Sequence, residues 1–225
     1  MTEANDLDSL LASAGRPISG ARLQGRVAIV SGAGRGEGLI GVGAAAAVLF
    51  AAQGATVGVL DRDRARAEAT LGLIEHAGGS GLVVEADIRD IESCRAAVGQ
   101  VAGACGRLDI VMNSAAIARA GDVASVTDAD WRDVLDVSLT GAMHLTQAAA
   151  PELARQGGAI VNISSVASMR GFGGSAAYAA AKGGLEALTR DEAVSLGRDG
   201  VRANCIVVGF IHAPMGGGGE AARQV

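Results

Sequence analysis

Residues 27–43 read VAIVSGAGRGEGLIGVG, a short apolar run followed by a loop with six glycines. The apolar run predicts a buried strand, and the alanine-rich residues 44–53 predict a helix. A glycine loop between a strand and a helix can place a pyrophosphate on the free N–H groups and positive dipole of the helix N-terminus. Glycine suits this task because the backbone turns tightly and a Cβ would hold the phosphates away. The same glycines also fit an ordinary strand-to-helix turn.

The composition restricts the class of protein. The 225 residues fit one large α/β domain, and no apolar run is long and pure enough to span a bilayer. Residues 1–25 lack the basic start and apolar core of a secretory signal. The net charge of −5 argues against nucleic-acid binding, and the three widely spaced cysteines fit a reducing compartment. We therefore expect a cytoplasmic protein that binds neither membrane nor nucleic acid.

Apolar runs and helix-like runs alternate along the rest of the chain. This pattern indicates an α/β fold with a doubly wound parallel sheet in a single domain, covered by helices on both faces. Thr127, with Asp130 three residues later, predicts the start of a long helix. The further predicted strands are 57–60, 81–86, 108–112, 159–163 and 203–208, and the further predicted helices are 63–76, 90–104, 127–153 and 176–196.

Asp61 ends the second predicted strand, 20 residues after Gly41. A carboxylate at this distance can accept hydrogen bonds from the adenosine ribose hydroxyls and repels a 2′-phosphate, so it favours NAD over NADP. Arg62, and Arg35 in the glycine loop, favour NADP instead, since either could bind a phosphate. The alternative interpretation of Asp61 is a solvated acid that caps the following helix.

Tyr178 and Lys182 lie four residues apart on a predicted helix and share one face. A phenol with a pKa of about 10 is a poor acid–base catalyst at neutral pH, but a neighbouring ammonium and the charge of an oxidised nicotinamide stabilise its phenolate. Tyr178 is the only tyrosine of the chain, and Ser164 and Ser165 lie at the carboxyl end of a predicted strand, where open α/β sheets bind ligands. An exposed helical pair is the alternative.

The chain resembles the classical short-chain dehydrogenase/reductase family from about Arg22 to Met215. The resemblance is carried by the glycine loop, Asp61, Ala86-Asp87-Ile88, Asn113-Ser114-Ala115-Ala116, the segment from Trp131, Ile163-Ser164-Ser165, Tyr178-Ala179-Ala180-Ala181-Lys182 and Gly209-Phe210-Ile211. It implies a Rossmann fold with three α/β/α layers that binds a nicotinamide cofactor. We expect residues 1–24 to be a loose arm, residues 25–215 the NAD(P)-binding domain and residues 216–225 a Gly-rich mobile tail.

The resemblance also implies roles for single residues. Ser165 would hold and polarise the substrate oxygen, Tyr178 would pass the proton, and Lys182 would bind the nicotinamide ribose and lower the pKa of Tyr178. Asp87 and Ile88 would flank the adenine, and Asn113 would brace the sheet beside the cofactor. The candidate catalytic residues are Ser165, Tyr178, Lys182 and Ser138. The candidate cofactor-binding residues are Gly32, Arg35, Gly41, Val42, Gly43, Asp61, Arg62, Asp87, Ile88, Asn113, Ala115, Tyr178, Lys182, Gly209 and Ile211, and no metal site is expected.

The chain also departs from the family pattern. Its glycine loop is longer, and we prefer Gly32, Gly41 and Gly43 as the matching glycines over the alternative with Gly36 and Gly38. Ser138 stands where the family has an asparagine that holds a water for proton relay, and Ala213 where it has a threonine near the carboxamide. The chain stops where the family continues into a covering helix and a final edge strand, so we expect the sixth strand to be an exposed edge.

Three functions fit these residues. The first is an NAD(H)-dependent oxidoreductase that transfers hydride between the nicotinamide and a secondary alcohol or ketone as small-molecule substrate. The second is a redox-inactive subunit or scaffold of the same fold, and the third is a non-redox enzyme such as an epimerase, dehydratase or cyclase. We also expect a homo-oligomer (a dimer or tetramer) or pairing with a homologue. It would pack through the long helices at Gly141, Ala142, Ala148, Ala149, Ala179, Ala180 and Ala187.

Overall fold

The computed structural model describes residues 22–36 and 40–211. The predictions for the first 21 residues, Gly38, Ala213 and the Gly-rich tail lie outside the described residues. In chain order the elements are β1 (Val27–Ser31), α1 (Val42–Ala52), β2 (Thr56–Asp61), α2 (Arg64–His76), β3 (Ser80–Glu85), α3 (Ile91–Cys105), β4 (Ile110–Asn113), α4 (Asp128–Leu135), a π-helical segment (Asp136–Thr140), α5 (Gly141–Ala154), β5 (Ala159–Ser165), α6 (Ala176–Ser195) and β6 (Arg202–Val208). Short 3-10 turns lie at Val166–Ser168 and Gly197–Asp199.

The six strands form one parallel sheet in the order β3-β2-β1-β4-β5-β6. The strand order reverses between β1 and β4, where Ser31 lies beside Asn113. In open α/β sheets, this switch point leaves a crevice at the carboxyl ends of the strands, and ligands bind there. The predicted doubly wound α/β fold is confirmed.

The apolar core is divided between the two faces of the sheet. Ile29 packs in one buried cluster with Leu145 of α5, and Val30 packs in another with Val48 of α1 and Ile74 of α2. Successive strand residues point to opposite faces, so β1 is buried on both sides. This double burial explains the continuously apolar sequence of β1, and it makes the sheet a rigid base for the loops at its carboxyl edge.

The helix predicted over residues 127–153 is present but is not α-helical throughout. Its start is confirmed, since Thr127 Oγ1 accepts a hydrogen bond from the Asp130 N–H at 3.0 Å. A π-helical segment, Asp136–Thr140, joins α4 to α5. Such segments insert one extra residue into a helix and often occur at functional sites. The sequence pattern did not indicate this change, because the apolar spacing on either side remains helical.

Part of the predicted dimer surface is wrong, because three of its small residues are buried inside the protomer. Ala142 is 4% exposed and Ala149 is fully buried. A Cβ on Gly141 would lie 2.6 Å from Ile88 Cδ1, so this glycine lets α5 approach the segment after β3. The small residues left at least partly exposed are Ala148, Ala179, Ala180 and Ala187.

Strand β6 lies at the edge of the sheet. Within residues 40–211 it pairs only with β5, and the Ile206 and Val207 residues are 50% and 37% exposed. For the described residues, the predicted exposed edge is confirmed.

None of the helices in the described ranges is both long and apolar enough to cross a membrane.

Candidate active site

The carboxyl ends of β1, β4 and β5 bring the predicted site residues to one edge of the sheet. Ser31, Asn113 and Ser165 are the last residues of these strands. Ser31 Oγ accepts hydrogen bonds from the N–H groups of Ser114 at 3.2 Å and Ala115 at 3.4 Å. These bonds tie the segment after β4 to the start of the glycine loop.

The glycine loop is packed so closely that larger residues would not fit. Gly32 has a φ of +63°, which favours glycine, and a Cβ on it would lie 2.6 Å from Ala115 Cα. A Cβ on Gly43, in the first turn of α1, would lie 2.3 Å from the Gly32 carbonyl oxygen. This contact between Gly32 and Gly43 supports the choice of Gly32, Gly41 and Gly43 as the matching glycines.

The N-terminus of α1 can receive an anion. Gly41 is the N-cap residue, no side chain of the described residues caps the helix there, and the first turn, which begins with Val42, contains no acidic residue. The first N–H groups of a helix bind phosphate oxygens, and the helix dipole adds to the attraction. This N-terminus, with the cradle that a Cβ on Gly32 or Gly43 would fill, fits the pyrophosphate of a nicotinamide dinucleotide.

Asp61 connects the end of β2 to the glycine loop. Its Oδ2 accepts a hydrogen bond from the Gly34 N–H at 3.0 Å, and its Oδ1 accepts one from the Asp63 N–H at 3.1 Å. The residue that caps α2 is Asp63, which accepts a hydrogen bond from the Arg66 N–H at 3.2 Å. The alternative interpretation of Asp61 as the helix cap is therefore wrong.

Three arginines, Arg35, Arg62 and Arg66, lie near Asp61 and the glycine loop. The Arg35 N–H donates to the Arg66 carbonyl at 2.9 Å, so the loop rests on the first turn of α2. The Nε atoms of Arg35 and Arg66 are buried and have no hydrogen-bond partner within residues 22–36 and 40–211. Arg62 is exposed and lines a cavity of about 710 Å³ that also borders Asp87. Positive charge is thus close to Asp61.

Asp87 and Ile88 differ in what they present to a ligand. The Arg89 guanidinium holds the Asp87 carboxylate, with Nε 3.0 Å from both oxygens, and lowers the pKa of Asp87. The Ile88 side chain is only 6% exposed and packs in the core near Gly141. Asp87 therefore borders the cavity, whereas Ile88 offers its backbone rather than its side chain.

Lys182 is buried beside the carboxyl end of β5, at 2% exposure. Its Nζ donates a hydrogen bond to the Ile163 carbonyl at 2.7 Å and lies 5.5 Å from the centre of the Tyr178 ring. Burial lowers the pKa of Lys182 to about 8, because the ammonium loses its hydration. Lys182 is therefore still mostly charged at neutral pH, and an ammonium has further N–H donors to offer a ligand.

Tyr178 and Ser165 lie near each other. Burial raises the pKa of Tyr178, and a hydrogen bond with the Ser165 side chain opposes this rise. Ser165 Oγ also accepts a hydrogen bond from the Ala167 N–H at 3.2 Å, which fixes its position at the end of β5. The structure thus brings Ser165, Tyr178 and Lys182 together. A hydroxyl, a phenol and an ammonium in this arrangement can hold a substrate oxygen and exchange a proton with it.

Ser138 makes its hydrogen bonds outside this group. It lies in the π-helical segment at 1% exposure, and its Oγ accepts a hydrogen bond from the Ile117 N–H at 3.1 Å and donates one to the Ile117 carbonyl at 3.3 Å. Gly209 and Ile211 follow β6 at the same edge of the sheet, where Ile211 is 54% exposed. The described contacts do not join these three residues to Ser165, Tyr178 or Lys182.

Comparison with known proteins decides the family. The family model described as "Enoyl-(Acyl carrier protein) reductase" matches residues 38–225. The chain is 39% identical over 203 residues to trans-4-hydroxycyclohexanecarboxylate dehydrogenase of Sinomonas cyclohexanicum, covering 88% of this chain and 76% of that protein. It is 36% identical to human (Homo sapiens) (3R)-3-hydroxyacyl-CoA dehydrogenase, covering 86% of this chain and 76% of that protein. The chain belongs to the short-chain dehydrogenase/reductase family.

A solved structure agrees with this assignment. The crystal structure of a short chain dehydrogenase from Mycobacterium smegmatis superposes with a TM-score of 0.80 at 32% identity, covering 87% of this chain and 81% of that one. This short-chain dehydrogenase/reductase is therefore an oxidoreductase enzyme of a family that uses nicotinamide cofactors.

Two features of this short-chain dehydrogenase/reductase were not predicted from the sequence. Arg66 lies one helical turn after Arg62, a spacing that would have drawn attention to it. A buried polar group also surrounds Asn113, whose Nδ2 donates to Thr146 Oγ1 at 3.1 Å and to Asn162 Oδ1 at 2.8 Å. Its members are far apart in the chain, so no local spacing indicates them.

Proposed function

We propose that this protein is an NAD(H)-dependent oxidoreductase that transfers hydride between the nicotinamide and a secondary alcohol or ketone. The observation that carries the proposal is the contact of Ser165, Tyr178 and Lys182 at the carboxyl end of β5. The cofactor supplies the hydride chemistry when bound. Ser165 donates a hydrogen bond to the substrate oxygen, and Tyr178 takes up or returns the proton of that oxygen.

Lys182 supports both ligands in this proposal. Its charge, retained at neutral pH, stabilises the Tyr178 phenolate, because an opposite charge nearby favours the ionised phenol. Its remaining N–H groups would hold the nicotinamide ribose. The Ile163 carbonyl holds the side chain in this position.

The cofactor is held by residues of β1, α1 and the segment after β4. Gly32, Gly41, Val42 and Gly43 would receive the pyrophosphate at the N-terminus of α1. Asn113 and Ala115 line the switch point, and Asp61 would accept hydrogen bonds from the adenosine ribose. Each Asp61 oxygen accepts one backbone N–H, which leaves further lone pairs for the ribose hydroxyls and supports NAD.

The rim of the site supports a substrate with an apolar body. Exposed apolar residues lie in the segments that follow β4, β5 and β6: Val123, Met169, Phe172 and Phe210. Phe172 and Phe210 meet edge to face with ring centres 5.3 Å apart. Relatives named for a hydroxycyclohexanecarboxylate and for carveol accord with this class.

The compartment that we propose is the cytoplasm. The described cysteines are free thiols, as is usual for proteins of this reducing compartment.

Calorimetric titration with NAD⁺, NADH and their phosphorylated forms tests the cofactor. We expect NAD(H) to bind at least about tenfold more tightly than NADP(H), because Asp61 repels a 2′-phosphate. Tighter binding of NADP(H) would show instead that Arg35, Arg62 and Arg66 determine the preference.

Reduced-nicotinamide absorbance with a panel of apolar secondary alcohols tests the reaction. We expect Tyr178→Phe to bind the cofactor normally but to lose hydride transfer by about a hundredfold or more. Phe50→Leu, near the end of α1 and outside the catalytic group, is the control variant and should keep the wild-type rate. Equal rates for the wild type and Tyr178→Phe would refute the assigned role of Tyr178.

A further inference from the structure

A ring of buried polar side chains lies beneath the site. Asn113 Nδ2 donates to Thr146 Oγ1 at 3.1 Å and to Asn162 Oδ1 at 2.8 Å. Asn162 Nδ2 donates to Glu192 Oε2 at 2.7 Å, and the Thr146 side chain lies close to the Glu192 carboxyl group. The ring therefore joins β4, α5, β5 and α6, and its four members are at most 6% exposed.

Two hydrogen-bond acceptors of the ring have no donor among the described residues. Glu192 Oε1 and Asn113 Oδ1 are buried and have no hydrogen-bond partner in the part of the chain that the structure describes. The described residues also give Glu192 no cation. The charged neighbour on α6 is Asp191, while β4, β5 and α5 contribute only Asn113, Asn162 and Thr146. On β6 the titratable residues are Arg202 and Cys205, and Cys205 interacts with the Thr189 side chain.

A proton on Glu192 removes the buried charge that lacks a cation and turns one of the two bare acceptors into a donor. A buried carboxylate without a cation is strongly disfavoured, and its neutral acid has an O–H donor in place of one bare acceptor. Burial raises the pKa of Glu192, although the side chains of Asn162 and Thr146 oppose the rise. The neutral acid thus agrees with the geometry.

We propose that Glu192, as a neutral carboxylic acid, is a positioning residue that locks α6 against β4 and β5. The same helix carries Tyr178 and Lys182, and β5 carries Ser165 and the Ile163 carbonyl that holds Lys182. A displacement of α6 at Glu192 therefore changes the contact between Tyr178 and Ser165. The functional meaning of this contact rests on the proposed function, but the ring itself does not.

The pH dependence of stability tests the protonation state without requiring enzymatic activity. Because the pKa of Glu192 is raised above its ordinary 4.5, stability falls as pH rises from 4.5 through the folded-state value. Glu192→Gln keeps the shape and adds an N–H donor that cannot ionise. We expect the melting temperature of this variant to match the wild type near pH 4.5 and to exceed it by roughly 3 °C or more at about pH 8.

The exposed Glu75→Gln, on α2, is the matched control, and its melting curve should follow the wild type at each pH. Parallel pH curves for Glu192→Gln and the wild type would overturn the neutral-acid assignment.

The positioning role is tested by the ultraviolet titration of Tyr178, which is the only tyrosine in the chain. We expect Glu192→Leu to shift the apparent pKa of Tyr178 by roughly half a unit or more, and Glu192→Gln to leave it unchanged. A lower melting temperature for Glu192→Leu with an unmoved Tyr178 titration would overturn the positioning role and leave only a structural one. If instead both readouts behave as expected but no hydride transfer is found, the proposed function fails and the ring remains.

Discussion

At the scale of the residue, the burial of Lys182 opposes folding at neutral pH. The pKa of its ammonium falls from 10.5 to about 8 on folding, because burial removes water from the charge. The destabilisation is complete below about pH 8, shrinks as the pH rises to 10.5 and disappears above that value, where the amine is neutral in both states. The site therefore retains a charge that reduces the stability of the free protein.

Lys182→Met is expected to raise the free energy of unfolding at neutral pH by roughly 3 kcal/mol, while it abolishes hydride transfer. Thermal and denaturant unfolding between about pH 7 and pH 10.5 measure the gain, which should shrink steadily across this range. Arg190→Met, an exposed cation on the same helix, is the control and should show no such pH dependence. A gain that is constant with pH would mean that packing, not the ammonium, determines it.

At the scale of the element, helical glycines differ in their surroundings, since some are closely packed and others face open space. A Cβ on Gly43 would meet the Gly32 carbonyl oxygen at 2.3 Å, whereas a Cβ on Gly99, on the exposed side of α3, would meet nothing within 4 Å. Gly43→Ala should therefore lower the melting temperature and weaken cofactor binding at least about tenfold. Gly99→Ala should stabilise the protein by about 0.5–1 kcal/mol through helix propensity alone. Calorimetric unfolding and cofactor titration of both variants check this, and equal effects would remove the argument for close packing at the loop.

Some features of these elements could be predicted from the sequence, and others could not. Continuous apolar runs such as residues 27–31 indicated a strand buried on both faces, and Thr127 indicated its helix start, because both signals are local. The π-helical segment around Ser138 was not predictable, since the local spacing does not indicate it and the hydrogen bonds of Ser138 go to Ile117, 21 residues away. The other members of the ring around Glu192 were likewise hidden, because they come from three other elements.

At the scale of the whole molecule, the exposed small residues of α6 predict association. Ala180 and Ala187 are exposed and permit two helices to approach closely, so we expect at least a homodimer through this face. Ala187→Glu should shift the protein toward the monomer in analytical ultracentrifugation at micromolar concentration. Ala69→Glu, on the exposed side of α2, should leave the assembly unchanged. A wild type that sediments as a monomer would contradict the prediction.

The buried ring around Asn113 also bears on how the chain reaches this structure. Its hydrogen bonds join residues 33, 49 and 30 positions apart, so the ring cannot close until two strands and two helices have already assembled. Contacts of this separation form late, after the entropy of closing the intervening loops has been lost. The ring is therefore expected to slow unfolding far more than it speeds folding, and to act on the lifetime of the native state.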